Sequence, residues 1–138
     1  MAPPDFNAQI IAEFRANAGR VGGHFEGSTL LLLHTAGARS GTRYTTPVVY
    51  HEDEGRYVIV ASKSGAPSNP GWYHNLKANP DAQIEVGDRL IEVTAVEVTG
   101  AERDRIFADR VKQIPQFGEY QDKTERVLPI VVLTPKGG

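Results

Sequence analysis

Hydrophobic positions near the start of the chain follow the period of a helix. The apolar residues of this segment lie on one side of a helical wheel: Phe6, Ile10, Ile11 and Phe14. Asp5 can cap the first turn, since its carboxylate accepts hydrogen bonds from free backbone N–H groups. The pattern predicts one amphipathic helix from Asp5 to about Gly19.

The next segments are short, apolar and rich in β-branched residues, which is typical of strands. Strands are predicted over Thr29–Thr35, Thr45–His51 and Arg56–Ser62. The glycine-containing segment Gly37–Thr42 and the acidic segment Glu52–Gly55 separate them as turns. Three strands joined in this way indicate an antiparallel meander.

A stretch rich in Gly, Pro and Ser, residues 63–70, interrupts the sheet, and a short helix is predicted over Gly71–Ala78. Two further strands, Ala82–Val86 and Arg89–Val98, form a hairpin at Gly87 and Asp88. In the second strand Ile91, Val93 and Ala95 alternate with polar residues, so that one face should be buried.

The last third of the chain is predicted to be mixed. Ala101–Lys112 has a helical pattern, Gln113–Arg126 is predicted to be irregular, and Val127–Leu133 is a last strand that Pro129 interrupts. About six antiparallel strands, an N-terminal helix and two short helices favour a single α+β domain over residues 1–138, built as a β-barrel. The N-terminal helix is expected to cover one opening of that barrel.

Composition narrows the chemistry. The 15 Lys and Arg residues against 17 Asp and Glu give a formal charge of -2, which argues against a nucleic-acid binder. The absence of cysteine excludes disulfides and a thiol nucleophile, so redox chemistry would need a bound cofactor. The longest apolar run is far shorter than the roughly 20 residues of a spanning helix, and we expect a soluble, cytoplasmic protein.

The first candidate site is the loop from Gly37 to Arg43. Its two glycines permit tight backbone geometry, and Arg39 and Arg43 have planar guanidinium groups that bind phosphate or carboxylate. An ordinary hairpin turn with solvated charges explains the same residues.

The second candidate is the segment from Ala61 to Leu76, at a strand-to-helix junction. It concentrates small residues, hydroxyl groups, Lys63 and two large aromatic residues, and free N–H groups at the helix start attract anions. The alternative is structural: Trp72 anchors the core and Asn69 caps the helix.

The third candidate is the pair Phe117 and Tyr120, three residues apart, which would align if this segment were helical. The phenol of Tyr120 could donate a hydrogen bond to a substrate, whereas packing is the simpler explanation for Phe117. The four histidines (His24, His34, His51 and His74) lie at irregular intervals, so no metal site is predicted.

Several motifs occur in a characteristic order: Gly37 to Gly41, Thr46-Pro47, Val60 to Ala66, Asn69 to Leu76, Asn79-Pro80 and Pro129 to Val132. In this order they resemble the deazaflavin-dependent nitroreductase family, and the resemblance covers most of the chain. The block Ala61-Ser62-Lys63 through Asn69-Pro70-Gly71-Trp72-Tyr73 is its most specific part.

The resemblance implies a split β-barrel that binds coenzyme F420 and transfers a hydride from the reduced deazaflavin to quinones, nitro compounds or other activated acceptors. It implies that Arg39, helped by Arg43, contacts the phosphate or acidic tail of the coenzyme. Our mechanistic hypothesis is that Tyr120, Ser62 or water stabilises or protonates the reduced acceptor. The full set of predicted coenzyme-binding residues is Arg39, Ser40, Gly41, Arg43, Thr46, Pro47, Ala61, Ser62, Lys63, Ser64, Gly65, Asn69, Trp72 and Asn75.

The chain departs from the family pattern at three positions. Tyr44 stands where a basic residue is usual, and Ile114 and Phe117 stand where tyrosines are usual. Loss of two hydroxyl groups removes hydrogen-bond donors from the acceptor pocket, which argues against nitroimidazole-type activity.

Alternatives to this reading concern the cofactor and the partners. FMN is an alternative cofactor, because split barrels also bind it, and a non-enzymatic F420 carrier would use the same residues. The protein is expected to be a monomer or a homodimer, and the N-terminal helix is a candidate for peripheral membrane contact.

Overall fold

The computed structural model describes residues 4–17, 30–39, 41–53, 55–62 and 69–136. Within them the chain forms four helices and six strands. The helices are α1 (Pro4–Ala16), α2 (Gly71–Ala78), α3 (Gly100–Gln113) and α4 (Gln116–Asp122). The strands are β1 (Leu30–Ala36), β2 (Arg43–Asp53), β3 (Arg56–Val60), β4 (Asp81–Val86), β5 (Arg89–Val98) and β6 (Ile130–Pro135).

The six strands form a closed antiparallel barrel in the order β1-β2-β3-β6-β5-β4, which confirms the predicted architecture. Pairing of β1 with β4 closes it, through contacts such as Leu33 opposite Ile84. Closure leaves no edge strand open to another chain.

Alternation along each strand separates an interior from an outer wall. On β1, Leu31 and Leu33 point into the barrel, and Leu30 and Leu32 point outwards. The predicted alternation of β5 is confirmed, since Val93 is fully buried in the interior and Ile91 and Ala95 pack against it.

Helices cover parts of the outer wall and one part of the interior. Helix α1 was expected to cover one opening of the barrel, and this expectation was wrong. Ile10 and Phe14 of α1 pack instead on the outward-facing Leu30 and Leu32. The outer face of β3 and β6 is covered by α3 and α4, while α2 inserts Trp72 into the barrel interior.

The segment predicted to be irregular, Gln113–Arg126, contains helix α4, so this prediction was wrong. Gly118 lowers the helix propensity of this segment, but tertiary packing against α3 stabilises the helix. A Cβ atom at Gly118 would lie 3.3 Å from a methyl group of Val111, so the glycine lets α4 lie close to α3. Phe117 then reaches a buried position on the outer wall.

The last strand is also shifted from its predicted position. It begins at Ile130 and not at Val127, because the N–H of Leu128 donates to the side chain of Gln121 (3.0 Å) and Pro129 has no N–H to donate. The carbonyl of Pro129 still accepts from the N–H of Ala61 (2.9 Å), which aligns the chain just after β3 with the chain just before β6.

For most of the other elements, the predicted bounds differ from the observed ones by a few residues. Helix α1 ends at Ala16 rather than near Gly19, and residues 18–29 lie outside the described part of the chain. Helix α2 and strand β5 have the predicted bounds. None of the described helices is long and apolar enough to cross a membrane.

Candidate functional site

An open groove of about 520 Å³ lies between the β1–β2 turn and the start of α2. Its size falls within the range of small-molecule sites. The lining residues are Gly37, Ala38, Arg39, Tyr44, Gly71, His74 and Asn75.

The β1–β2 turn forms one side of the groove. The N–H of Gly37 donates to the carbonyl of Thr42 (2.7 Å), and the N–H of Gly41 donates back to Gly37 (3.0 Å). Gly41 has a φ of 73°, a left-handed conformation that costs glycine little. The exposed Arg39 is therefore carried by a closed, hydrogen-bonded turn.

Asn75 joins this turn to α2. Its Oδ1 accepts from the N–H of Ala38 (3.0 Å), and its Nδ2 donates to the hydroxyl of Thr35 (3.1 Å). Thr35 is buried, so the second bond satisfies a polar group that water does not reach. Asn75, one of the predicted coenzyme-binding residues, fixes the two sides of the groove relative to each other.

The start of α2 forms the other side. Pro70 occupies the N-cap position and no described side chain caps the helix, so the interpretation of Asn69 as a cap was wrong. Among the described residues, the first N–H groups of α2 thus have no side-chain acceptor, and the helix dipole favours an anion beside them.

Trp72 packs in the barrel interior with Leu76, only 9% exposed, and does not line the groove. Trp72 therefore has the position of a core anchor for α2, which was the structural alternative for this residue. The burial of Trp72 and Leu76 on one side of this short helix leaves Gly71 and His74 exposed on the other.

The residues after β3 are held by an arginine that sequence reasoning did not select. Arg126 donates to the carbonyls of Ala61 (3.0 Å) and Ser62 (2.8 Å) and to Oδ1 of Asn69 (2.6 Å). Three of the predicted coenzyme-binding residues therefore share one guanidinium group. The signal was absent from the sequence because Arg126 lies more than fifty residues away from all three.

The predicted residues of β2 are divided between its faces. Tyr44 and Thr46 lie opposite Thr35 and Leu33 and share their inward face. Arg43 lies on the other face and lines a separate cavity of about 170 Å³, together with residues such as Lys136. Pro47 also faces outwards, opposite Leu32.

Tyr120 lies on α4 and not in the groove lining. Its ring packs edge-on against Phe117, with ring centroids 6.3 Å apart, and the ammonium of Lys123 lies 5.8 Å from its centroid. The predicted alignment of Phe117 and Tyr120 on a helix is therefore present, and Ile114 packs against the same cluster.

Four predicted site residues lie outside the described part of the chain: Ser40, Lys63, Ser64 and Gly65. His24 also lies outside it.

A second cavity, of about 180 Å³, lies on the other side of α2. There the hydroxyl of Tyr73 donates to Oε1 of Glu97 (2.7 Å), and Lys77 contacts the same oxygen (3.2 Å). Burial, with the hydrogen bond and negative charge of Glu97, raises the pKa of Tyr73 to about 12. The phenol is thus a neutral hydrogen-bond donor near pH 7 and ties α2 to β5.

A family model described as F420H(2)-dependent quinone reductase matches residues 8–135. An F420H(2)-dependent quinone reductase of Mycobacterium tuberculosis (strain H37Rv) is 44% identical over 127 residues, covering 89% of this chain and 85% of that protein.

Two of the solved structures with similar folds are also similar in sequence. A structure described as an F420-H2 dependent reductase (FDR-A) is 38% identical, with a TM-score of 0.70 over 81% of this chain and 99% of that one. A second, described as a domain-swapped dimer, is 35% identical, with a TM-score of 0.71 over 91% of this chain and 92% of that one.

Proposed function

Because the chain belongs to the F420H(2)-dependent quinone reductase family, we propose that it uses reduced coenzyme F420 to reduce quinones or related activated organic acceptors. It is an oxidoreductase, and F420 is its cofactor. The observation that supports this function in the chain itself is the groove in which Arg39 lies beside the start of α2, whose first N–H groups have no side-chain acceptor among the described residues.

The donors of the groove suit an anionic ligand. Arg39 is exposed and positively charged, and the N–H groups at the start of α2 add a partial positive charge. We propose that Arg39 holds the phosphate or acidic tail of the coenzyme, and that Ser62, Asn69 and Asn75 contact or position the rest. When bound, reduced F420 supplies the hydride.

Arg43 is a weaker candidate for the same role. Its side chain belongs to the opposite face of β2 from Tyr44, beside Lys136 and Asp81 rather than Arg39. Our proposal therefore gives the anion contact to Arg39. The predicted contributions of Ser40, Gly41, Thr46, Pro47, Ala61, Lys63, Ser64, Gly65 and Trp72 stay predictions.

The proton donor is the second part of the proposal. The phenol of Tyr120 or the hydroxyl of Ser62 donates a hydrogen bond or a proton to the oxygen of the acceptor, where negative charge develops. Ile114 and Phe117 pack in the hydrophobic cluster beside Tyr120 and carry no hydroxyl groups. The lack of these donors supports quinones, rather than nitroimidazoles, as the substrate class.

The proposed function is tested by titrating the purified protein with F420 and, separately, with FMN. Fluorescence of Trp72, the chain's single tryptophan, reports binding, and oxidation of F420H2 with a panel of quinones and nitro compounds reports turnover. Selective F420 binding with quinone turnover supports the proposal. Binding without turnover would indicate a carrier, and preference for FMN would contradict the cofactor.

Arginine variants locate the anion contact. Arg39→Ala should weaken F420 binding by about one to two orders of magnitude, as expected for a charged hydrogen bond. Arg105→Ala is the matched control, since Arg105 is exposed on α3 and does not line the groove. Equal affinities of the two variants would contradict the assignment.

Tyrosine variants locate the donor. Tyr120→Phe should lower kcat with quinones and leave the dissociation constant of F420 nearly unchanged. Tyr44→Phe removes a phenol that lines the groove and distinguishes the two positions. Unchanged turnover in Tyr120→Phe would move the role to Ser62 or to Tyr44.

The assembly and location of the protein are further proposals. A monomer or homodimer is expected in solution, and sedimentation of the purified protein distinguishes them. Cytoplasmic location and peripheral membrane contact through α1 stay predictions, and flotation with liposomes tests the second.

A further inference from the structure

Arg126 makes an unusual set of contacts for a residue in a loop. Nη1 donates to the carbonyl of Ala61 (3.0 Å) and to Oδ1 of Asn69 (2.6 Å), while Nη2 donates to the carbonyl of Ser62 (2.8 Å). One planar group thus joins two segments of the chain, residues 61–62 and residue 69. We propose that Arg126 is the positioning residue that fixes Ser62 and Asn69 for coenzyme binding, an inference that rests on the proposed function.

The backbone around Arg126 is itself held in place. The carbonyl of Arg126 accepts from Nε2 of Gln121 (2.7 Å), and its N–H donates to the hydroxyl of Thr124 (3.3 Å). Oε1 of Gln121 accepts from the N–H of Leu128 (3.0 Å). Helix α4 therefore sets the position from which the guanidinium reaches across to the end of β3.

The contacts leave the polar atoms of the site available. Arg126 uses the main-chain oxygen of Ser62 and not its hydroxyl, and it uses only Oδ1 of Asn69. The Nδ2 of Asn69 has no hydrogen-bond partner within the described residues, and Asn69 does not cap α2. Arg126 thus fixes the orientation of the Asn69 amide with a charged hydrogen bond through Oδ1, and no described residue uses the donors on Nδ2.

Arginine has a property here that lysine lacks. Its guanidinium is planar and holds several acceptors at fixed directions, whereas an ammonium is a point charge on a flexible chain. The geometry of the Ala61, Ser62 and Asn69 acceptors requires the planar fork. A role by simple charge attraction would be kept by lysine.

The test compares Arg126→Ala and Arg126→Lys with a control, Arg56→Ala. Arg56 on β3 is half-buried like Arg126 and donates to Asp53 (3.4 Å), but it makes no hydrogen bond with Ala61, Ser62 or Asn69 and none with Gln121. Hydrogen exchange of the coenzyme-free protein at the amides of residues 61, 62, 69 and 71 is measured together with F420 affinity, kcat and KM.

Both Arg126 variants should exchange faster at residues 61, 62, 69 and 71, bind F420 roughly 10- to 100-fold more weakly, and raise KM for F420H2 more than they lower kcat. Arg56→Ala should change F420 affinity by less than about twofold, even if it lowers the stability of the fold. Full affinity in Arg126→Lys, or an equal loss in Arg56→Ala, would overturn the proposal.

The two proposals fail in different ways. If the wild-type protein does not bind F420, the proposed function is wrong, and the exchange of residues 61, 62, 69 and 71 alone decides whether Arg126 fixes Ser62 and Asn69. If the wild-type protein binds F420 and the Arg126 variants bind it equally well, the positioning role is wrong and the proposed function stands.

Discussion

Helices α1 and α2 both attach to the strand pair β1 and β2, but by different kinds of contact. Helix α1 lies on the outer wall, where Ile10 and Phe14 bury apolar surface against Leu30 and Leu32. Helix α2 lies at the groove, where Asn75 adds two directional hydrogen bonds to the turn beside Arg39. Burial is non-directional and stabilises the fold, whereas directional bonds fix the geometry of a site.

The two helices also differ in their charged contacts. On the α1 side, Arg15 bonds to Glu85 (2.7 Å), Glu85 contacts the ring of His34 (2.6 Å), and the other ring nitrogen contacts the hydroxyl of Thr45 (2.9 Å). On the α2 side, the phenol of Tyr73 donates to Glu97. The contact between Arg15 and Glu85 depends on an ionised carboxylate, so α1 should loosen in acid. The contact between Tyr73 and Glu97 depends on a neutral phenol, so α2 should loosen in alkali.

The largest effect should come from the apolar contact of α1. Phe14→Ala should lower the free energy of unfolding by about 3–5 kcal/mol, since Phe14 is fully buried and its loss leaves a cavity. Urea unfolding followed by circular dichroism measures this. Ile11→Ala, at a half-buried position on the same helix, should cost less. F420 affinity of the folded variant should stay near the wild-type value; a large loss would show that α1 also shapes the groove.

Loss of the Asn75 side chain should cost less stability than Phe14→Ala but should weaken F420 binding more. Asn75→Ala should cost about 1–3 kcal/mol of stability, because the buried hydroxyl of Thr35 loses its partner, and it should weaken F420 binding severalfold or more. Asn79→Ala is the control, as Asn79 is exposed at the other end of α2. If Asn75→Ala destabilises the protein without changing F420 affinity, the distinction between the two helices fails.

The attachment of α2 through Tyr73 should fail in alkali. A phenol with a folded-state pKa of about 12, above its value of about 10 when unfolded, contributes stability that is complete below pH 10 and is lost as the pH rises towards 12. Ultraviolet difference titration of wild type against Tyr73→Phe should show this late ionisation. In Glu97→Gln the ionisation should move to lower pH, because a negative charge has been removed. An unshifted midpoint would argue against the Tyr73–Glu97 contact.

The smallest effect should come from Glu85 in acid. The hydrogen bond from Arg15, with that from His34, holds the pKa of Glu85 below its ordinary value. This stability is present above the unfolded pKa and is lost as the pH falls through the lower folded value. Because Arg15 is half exposed, its pair with Glu85 should contribute at most about 1 kcal/mol. Between pH 3 and 7, the thermal unfolding temperature should depend less on pH in Glu85→Gln than in the control Glu92→Gln.

The sequence predicted the elements with the strongest local signals. Alternation and turn residues located the six strands, and Pro70 with Gly71 located the start of α2. Helix α4 was missed because Gly118 disfavours a helix locally. The same glycine lets α4 lie close to Val111 on α3, and this packing stabilises the helix. Local propensity decides an element only where packing does not oppose it.

The candidate site was predicted in part. The motif order selected Arg39 and Asn75, which the structure brings together at one groove. It also grouped Arg43 with Arg39, whereas the period of two along β2 places Arg43 on the other face of the sheet. Tyr120, proposed as a donor, lies on α4 away from the groove lining.

The sequence by itself determined the family, the redox class and the barrel, because these depend on motifs and periodicities that are local along the chain. The tertiary structure alone decided that α1 lies on the outer wall, that Asn75 bridges to Ala38, and that Arg126 holds Ala61, Ser62 and Asn69. The physical reason is that each of these contacts joins residues far apart in sequence. A directional hydrogen bond between distant residues leaves no pattern along the chain until folding brings its donor and acceptor together.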